Sequence, residues 1–470
     1  MIHDLKPYPV MKDSGVPWLG EVPEHWRELP GKLCYREKKV PNMGLKETTV
    51  LSLSYGQIVV KPVDKLHGLV PASFETYQIV DAGNIIVRPT DLQNDWNSLR
   101  FGLSRHRGII TSAYMCLLTT GMMIKDYGHL LLHAYDLKKV FYGLGSGLRQ
   151  NLDWGDFKYL PCVVPPLSEQ AAIVRFLDHA DRRIRRHIHA KQKLINLLEE
   201  QKQAIIHRAV TRGLDPNVQL KPPGVEWLED VPEHWEVKRG KALFHCIDIR
   251  SSTGEEELLT VSSDRGVVPR SSVTVTMFKA ESYVGYKLCW PGDLVINSLW
   301  AWANGLGFSK HHGIVSTAYG VYRLRKPYRQ LWRYLHLALR SGAYDWQFQV
   351  RSKGIWKSRL QLTDWSFLDM PIILPPEKEA EWICERVAGE TAELEKTVGT
   401  AEREIALLRE YRIRLIADVV TGKLDVREVA ANLPEEAEES ESLDETETGE
   451  NSEETMDEGD GTGDIQEAEA

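Results

Sequence analysis

Val22-Pro23-Glu24-His25-Trp26 recurs, letter for letter, at Val231-Pro232-Glu233-His234-Trp235, 209 residues further along the chain. The flanks repeat as well: Gly15-Val16-Pro17-Trp18-Leu19 precedes the first copy and Gly224-Val225-Glu226-Trp227-Leu228 the second. The Glu-His pair invites a chemical reading. Neighbouring residues of an extended chain point to opposite faces, however, so Glu24 and His25 do not converge on one atom. The pentapeptide reads instead as a turn, with Pro fixing φ and Trp inserting as an anchor where a structural unit begins.

The echo continues through most of the chain, and a repeat is settled before a fold. Leu51-Ser52-Leu53-Ser54 answers Leu259-Thr260-Val261-Ser262, and Asp81-Ala82-Gly83-Asn84-Ile85-Ile86-Val87 answers Trp290-Pro291-Gly292-Asp293-Leu294-Val295-Ile296. Gly108-Ile109-Ile110 answers Gly313-Ile314-Val315, Pro165-Pro166 answers Pro375-Pro376, and Val210-Thr211 answers Val420-Thr421. The order is kept and the offset is nearly constant, so the chain is a duplicated pair. A period this long excludes a solenoid repeat.

Each copy has two parts. The first mixes short β-rich runs (49–54, 85–87, 258–262, 294–297) with Gly/Pro punctuation and short helical patterns, which is the composition of an α/β (α+β) globular domain. The second is a long helix following the Pro-Pro pair, with Ser168 as the expected N-cap. Apolar residues step by threes and fours through Ile173, Leu177, Ala180, Ile184, Ile188, Ile195, Leu198, Ile205 and Ala209. The second copy gives Ile383, Val387, Leu394, Val398, Ala401, Ile405, Leu408, Tyr411, Leu415 and Val419. Lys191 and Gln201 or Lys202 interrupt the first seam. A small domain cannot cover a seam this long, so the helices should pair with each other as an antiparallel coiled coil related by a pseudo-twofold axis. The expected boundaries are a first globular domain over 1–165, a helix over 166–214, a second domain over 215–375, a helix over 376–428 and an acidic tail over 429–470. The pairing should bring Asp425 close to the start of the first domain. A permutant joining residue 430 to residue 10 and opened near 216 is then expected to fold.

The net charge of −9 misrepresents the body of the protein. Residues 431–470 hold 17 Asp/Glu and no Lys or Arg, which leaves 58 basic and 50 acidic residues, about +8, in the first 430. The tail has too little apolar content to offset its ordering entropy and is expected to be disordered. A mildly basic body is compatible with nucleic acid. No 18-residue apolar stretch and no secretory leader are legible, so a cytoplasmic protein without a membrane partner is expected. Six scattered cysteines (34, 116, 162, 246, 289 and 384) form no C-x-x-C pair and read as reduced thiols rather than metal ligands.

Catalytic signatures are missing. The chain has no phosphate loop, no G-x-S-x-G, no H-E-x-x-H and no Asn-Pro-Pro-Tyr-like methyltransferase motif. Glu37-Lys38-Lys39 matches only the end of a nuclease pattern, and Gly143-Leu144-Gly145-Ser146-Gly147 lacks dinucleotide spacing. No catalytic residue, metal site or bound cofactor is therefore expected.

Trp-Leu-x-x-Val-Pro-x-His-Trp opening each copy, Gly-(Asp/Asn)-(Leu/Ile)-(Val/Ile), Gly-Ile-(Ile/Val)-(Ser/Thr)-(Ser/Thr)-Ala-Tyr and Pro-Pro-x-x-Glu-Gln at 165–170 together resemble the specificity subunit of type I restriction–modification systems. The likeness covers about residues 14–428. The second copy departs at Pro375-Pro376-Glu377-Lys378-Glu379-Ala380, where Gln is lost and with it any contact specific to that side chain. The resemblance implies a non-catalytic reader of double-stranded DNA, with two target recognition domains for the halves of a bipartite, asymmetric sequence. It implies helices that set the gap and dock two methyltransferase subunits bringing S-adenosylmethionine. Restriction/translocase subunits would supply ATP- and Mg²⁺-dependent steps. A stand-alone bivalent DNA-binding protein or repressor is the alternative.

Base and phosphate contacts favour Arg, Lys, Asn, Gln and loop backbone. The candidates are Arg88, Gln93, Asn94, Asn97, Arg100, Arg105 and Arg107 in the first copy, with Asn297, Trp300, Trp302, Asn304, Lys310 and His311 in the second. Ser146 and Arg149, and Lys353 and Lys357, lie in glycine-basic segments suited to phosphate. Ordinary variable surface loops would look the same. The run Arg182-Arg183-Ile184-Arg185-Arg186 reads as a solvated helix face or a docking surface.

Overall fold

The computed structural model describes residues 5–62, 73–96, 98–144, 150–225, 227, 229–273, 280, 282–354 and 360–434. They fall into two compact units, Met1–Ile184 with Glu410–Ala470, and Arg185–Arg409. The division follows the duplication rather than chain order. Each unit takes one globular copy, the start of the long helix that leaves it and the end of the other long helix.

In the first unit the strands are β1 (Met11–Asp13), β2 (Glu21–Pro23), β3 (Arg27–Pro30), β4 (Tyr35–Lys38), β5 (Leu51–Ser54) and β6 (Gln57–Val60). They continue with β7 (Gln78–Val80), β8 (Ile85–Val87), β9 (Phe101–Leu103), β10 (Gly108–Ile110), β11 (Met115–Thr119) and β12 (Pro161–Val164). The second unit carries β13 (Leu220–Lys221), β14 (Val231–Pro232), β15 (Glu236–Arg239), β16 (Phe244–Cys246), β17 (Leu259–Ser262) and β18 (Gly266–Pro269). There follow β19 (Lys287–Cys289), β20 (Asp293–Asn297), β21 (Leu306–Phe308), β22 (Gly313–Val315), β23 (Tyr319–Leu324) and β24 (Pro371–Leu374). The central sheet has the order β4-β11-β8-β9 in one unit and β16-β23-β20-β21 in the other, antiparallel throughout. Repeated words of the sequence also pair with each other: β7 with β10, and β19 with β22.

The all-apolar strand Ile85-Ile86-Val87 is buried on both faces, and its period of two divides the core. Ile85 and Val87 join Tyr127, Leu131 and Tyr135 of the helix Lys125–Leu137. Ile86 joins Leu51 and Ile58 of the β5–β6 hairpin. In the second unit Leu294 and Ile296 face Tyr334 and Leu335 of the helix Trp332–Leu339, and Val295 faces Leu259 and Val267 of β17–β18. Each unit is thus a helix layer, a sheet and a covering hairpin.

The long helices run Leu167–Arg212 and Glu377–Val420, 46 and 44 residues, or about 65–70 Å each. Their pairing is antiparallel within each unit. Arg412 pairs with Asp181 in the first, and Lys191 with Glu404 and Lys202 with Glu395 in the second. The two lysines that interrupt the apolar seam therefore meet carboxylates of the facing helix. The seam departs from expectation in detail. Ile206, not Ile205, is the buried residue, and Tyr411 is exposed while Arg412 turns towards Asp181. The start of the first helix also differs. It begins at Leu167, so Ser168 lies exposed inside the first turn, and the Pro166 carbonyl accepts the N–H groups of Glu169 and Gln170. All six cysteines are free, and Cys34, Cys116, Cys162 and Cys289 are buried. No helix among the described residues is long and apolar enough to cross a membrane.

The repeated pentapeptide sits where the two helices meet each globular copy. Trp26 is 1% exposed, and its Nε1 donates to Glu169 Oε1 at 2.9 Å. Tyr8 Oη donates to the same oxygen, and His25 Nε2 lies 2.8 Å from Oε2. Burial and the Glu169 charge push the Tyr8 hydroxyl well above the usual phenol range. Glu24 is exposed and takes no part. Pro23 and Trp26 also pack on Gly422, which ends the second long helix at φ +75°, and a Cβ there would stand 2.3 Å from Pro23 Cδ. Only glycine meets both demands. The second unit repeats the design with His234 on Glu379 and with Pro232 and Trp235 beside Gly213, at φ +71°. The neighbouring tryptophans anchor too: Trp18 rests edge-on against Tyr135, and Trp227 against Tyr344. Asp425 N–H donates to the Lys6 carbonyl at 2.8 Å, which places it at the start of the first copy.

Candidate nucleic-acid interface

In each unit three segments converge at one end of the central sheet. In the first, Arg88 N–H donates to the Arg100 carbonyl and closes the loop between β8 and β9. Leu152 N–H donates to the Pro89 carbonyl, Asp91 N–H to Asn151 Oδ1, and the β5–β6 turn at Gly56 packs on Leu99. In the second, Asn297 N–H donates to the Gly305 carbonyl, Leu362 N–H to the Ser298 carbonyl, and Asn304 Nδ2 to Ser263 of the β17–β18 turn. The frame is the same in both units. The loop it holds is longer and polar in one, shorter and aromatic in the other.

The candidates named from sequence separate into groups. Gln93 and Asn94 are exposed on the first loop, where Asn94 Nδ2 donates to Asp91 Oδ1. Arg88 is half-buried and paired with Asp95 at 3.2 Å. Trp300 is exposed on the second loop, with Trp302 and Asn304 half-buried beside it. Lys353 is exposed, and its backbone pairs with Gln361, next to the Leu362 that holds the loop. Asn97, Ser146, Arg149 and Lys357 lie outside the described residues.

Arg105, Arg107, Lys310 and His311 belong elsewhere. They sit in the β9–β10 and β21–β22 turns, where Gly83 bonds Ser104 and Gly292 bonds Ser309. That is the opposite end of the same strands, roughly 13 Å away at a strand rise of about 3.3 Å. Reading along the chain merged two places that a three-residue strand separates. Arg107 is engaged there by Asp81 at 2.6 Å and Glu47 at 3.3 Å. The Lys38 ammonium on Asp81, and the Thr49 backbone N–H on Glu47, hold both carboxyls below their usual range.

Arg100 is corrected outright. It is fully buried, and its guanidinium donates inward to the carbonyls of Arg88, Thr90, Asp91 and Asp95 and to Tyr142 Oη. It shapes the loop from beneath and presents no donor to a ligand. Its own N–H donates to Asp136 Oδ2, a carboxyl raised by burial. The second unit builds the same support from a different element. Arg340, at the end of the helix Trp332–Leu339, donates to the carbonyls of Asn304, Leu306, Ser263 and Asp264. Neither clamp had a signal in the sequence, because nothing in a lone arginine says whether its fork points inward.

The missing glutamine of the second copy has a physical counterpart. Gln170 is fully buried, accepts Ile124 N–H and donates to the Met122 and Pro165 carbonyls. Ala380 fills the matching place with an apolar side chain at 3% exposure.

Among the described residues no cluster of three His, Cys, Asp or Glu is arranged to hold a metal ion. What defines the molecule is two α/β units of one design, each with a supported variable loop and joined to a pair of antiparallel helices. No family profile matches the chain, and no curated protein sequence does. Solved structures do. A chain from a structure of complex assembly and conformational transition in a type I R-M system matches at 14% identity and TM-score 0.59, over 86% of this chain and 99% of that one. The HsdS subunit from Thermoanaerobacter tengcongensis matches at 14% identity and TM-score 0.41, over 86% and 98%. The S subunit of a type I restriction–modification system from M. genitalium gives 12% and 0.32, over 84% and 96%. At these identities the likeness concerns the fold, and the first match carries it.

Proposed function

We propose that this chain is the DNA-specificity subunit of a type I restriction–modification complex, each unit reading one half of a bipartite, asymmetric target. The observation that carries the reading is a conserved frame holding unlike loops. Leu152 on Pro89 and Leu362 on Ser298 are the same bond, yet the loops they hold run 88–100 and 297–305 with different chemistry. A duplicated reader needs that combination to read two different sequences. The shared fold with a chain of a type I R-M system supports it.

On this reading the base-facing residues are Gln93, Asn94 and Trp300, with Lys353 placed for phosphate, Arg88 shaping the first loop and Asn304 fastening the second through Ser263. The helices set the gap between half-sites, and linkage of two weak contacts raises affinity through effective concentration. The chain itself performs no chemistry. Methyltransferase subunits bring S-adenosylmethionine, and restriction subunits bring the ATP- and Mg²⁺-dependent steps. Co-expression with the methyltransferase subunit of its host, followed by methylome sequencing, tests the proposal. Methylation of a gapped two-part sequence only when both chains are present is expected. Tight specific binding by the purified chain alone, with no methylation in any pairing, would instead favour a repressor.

A further inference from the structure

We propose that Trp300 is a stacking wedge, an exposed indole that inserts at an unstacked base step in the half-site read by the second unit. This rests on the reading above and assigns the chemistry by which that loop reads. Leu299 and Trp300 form an apolar tip, 39% and 42% exposed, on a short turn whose next residue, Ala301, is fully buried. Two adjacent large apolar side chains at the apex of a loop make a small apolar patch that a partner can cover.

The tip is rigid. Trp300 N–H donates to the Asn297 carbonyl, and the Trp300 carbonyl accepts from both Ala303 and Gly305. Asn304 takes a left-handed φ of +62°. A Cβ on Gly305 would stand 2.7 Å from the Trp300 oxygen, so the turn admits only glycine there. Arg340 fastens it from below. One indole face is backed by Trp302, at 5.5 Å between centroids and 22° between planes, and Trp302 is itself held by Nε1 donating to the Leu299 carbonyl. A backed, immobile ring loses little entropy when a base stacks on its other side.

The surroundings select nucleic acid. Arg265, paired with Asp264, is exposed in the turn bonded to Asn304, and Lys353 is exposed near the segment bonded to Ser298, so each segment that holds the loop carries a basic side chain. An aromatic face on a loop held by basic segments is the pattern for a base between phosphates. The first unit supplies the contrast. Trp96 donates Nε1 to the carbonyl three residues back, Gln93, as Trp302 does to Leu299, and it stacks on Tyr142. Trp96 matches Trp302 in this bond and is 52% exposed, but it follows the polar Gln93, Asn94 and Asp95, so the apolar Leu299–Trp300 tip is the second unit's own addition. Wedges open the steps that unstack most easily, so the step should be pyrimidine–purine.

The test uses the full chain in the assembly recovered from its host, with duplexes carrying 2-aminopurine at successive positions of the methylated target. Brightening is expected at one pyrimidine–purine step of one half-site. Trp300→Ala should abolish it and weaken cognate binding by about 5- to 150-fold, while Trp300→Phe keeps the brightening and shows that the fold persists. Cognate binding by the wild type with brightening nowhere but at the base to be methylated, which a methyltransferase turns out of the stack in every variant, overturns the wedge and leaves the proposed function standing. Brightening at the wedge step that survives Trp300→Ala does the same. Absence of any sequence-specific binding overturns both.

Discussion

Trp26 donates its indole Nε1–H to Glu169 at 2.9 Å, while the matching Nε1 of Trp235 is buried with no partner among the described residues. The two copies of one pentapeptide thus differ in how firmly they tie down their helix. Glu169 accepts from Tyr8 and Trp26 and faces His25, whereas Glu379 faces His234 and is more exposed. Glu169→Ala leaves two buried donors unpaired and is expected to destabilise by about 2–4 kcal/mol. Glu379→Ala should cost about 1 kcal/mol or less. Urea unfolding of the two variants checks the order, and equal losses would show that the Trp26 bond contributes nothing.

The helix register gives a second prediction. Lys191 meets Glu404 across the antiparallel pair. Lys191→Glu sets two carboxylates together and should lower stability by about 0.5–1 kcal/mol at low salt, and adding Glu404→Lys should restore most of it. The double-mutant cycle, repeated in 1 M salt where the coupling fades, checks the pairing.

The duplication, the sheet strands and the long helices were legible because each rests on a repeated or periodic pattern. Ile85-Ile86-Val87 reads as a short β-rich run, and the structure places it as a strand buried on both faces. The loop supports were not legible. Arg100 and Arg340 do one job from unrelated positions, so aligning the copies cannot pair them. Nor could sequence spacing separate Arg105 and Arg107 from Gln93 and Asn94, since a three-residue strand carries the chain from one end of the sheet to the other. The meaning of the His in the pentapeptide also escaped, because its carboxylate partner lies 144 residues away, on Glu169.

Acid sensitivity follows from the helix Lys125–Leu137. His133 is stacked with His129, its Nδ1 is buried with no partner among the described residues, and Arg412 and Asp181 face it. Burial, reinforced by His129 and Arg412, pulls His133 down to about 3. His129 is lowered by burial as well. Both are then neutral in the fold at pH values where the unfolded chain binds protons. Their contribution is complete above about pH 6.5 and is lost as pH falls towards the folded value, at up to about 1.4 kcal/mol per pH unit for each. Chemical unfolding at pH 7.5 and 5 should show the loss, and His133→Phe should reduce it to the share of His129.

Arg100 gives a test of shape against contact. Lysine cannot reproduce a fork that spans four carbonyls. Arg100→Lys should therefore blur methylation at one half-site while the other half-site and the gap stay as they were. Methylome sequencing reads all three together. Equal damage at both half-sites would mean that Arg100 supports the whole unit rather than its loop.

The last prediction concerns where the chain can be cut and rejoined. Asp425 bonds Lys6, Tyr8 bonds Glu169, and Arg175 donates to the Leu433 carbonyl, so residues at both ends belong to the first unit's core. Val426, Ala430 and Leu433 are buried there too. Joining residue 430 to residue 10 would delete Lys6, Tyr8 and Leu433, and is expected to yield an unstable protein. Joining 434 to 5 through a flexible linker of about ten residues, with new ends at 216 in the exposed segment after Gly213, keeps every one of these contacts. That permutant should unfold within about 1 kcal/mol of the parent and, co-expressed with its methyltransferase, methylate the same sequence. If the shorter join proved the more stable of the two, the Tyr8–Glu169 bond would not be what fastens the start of the chain.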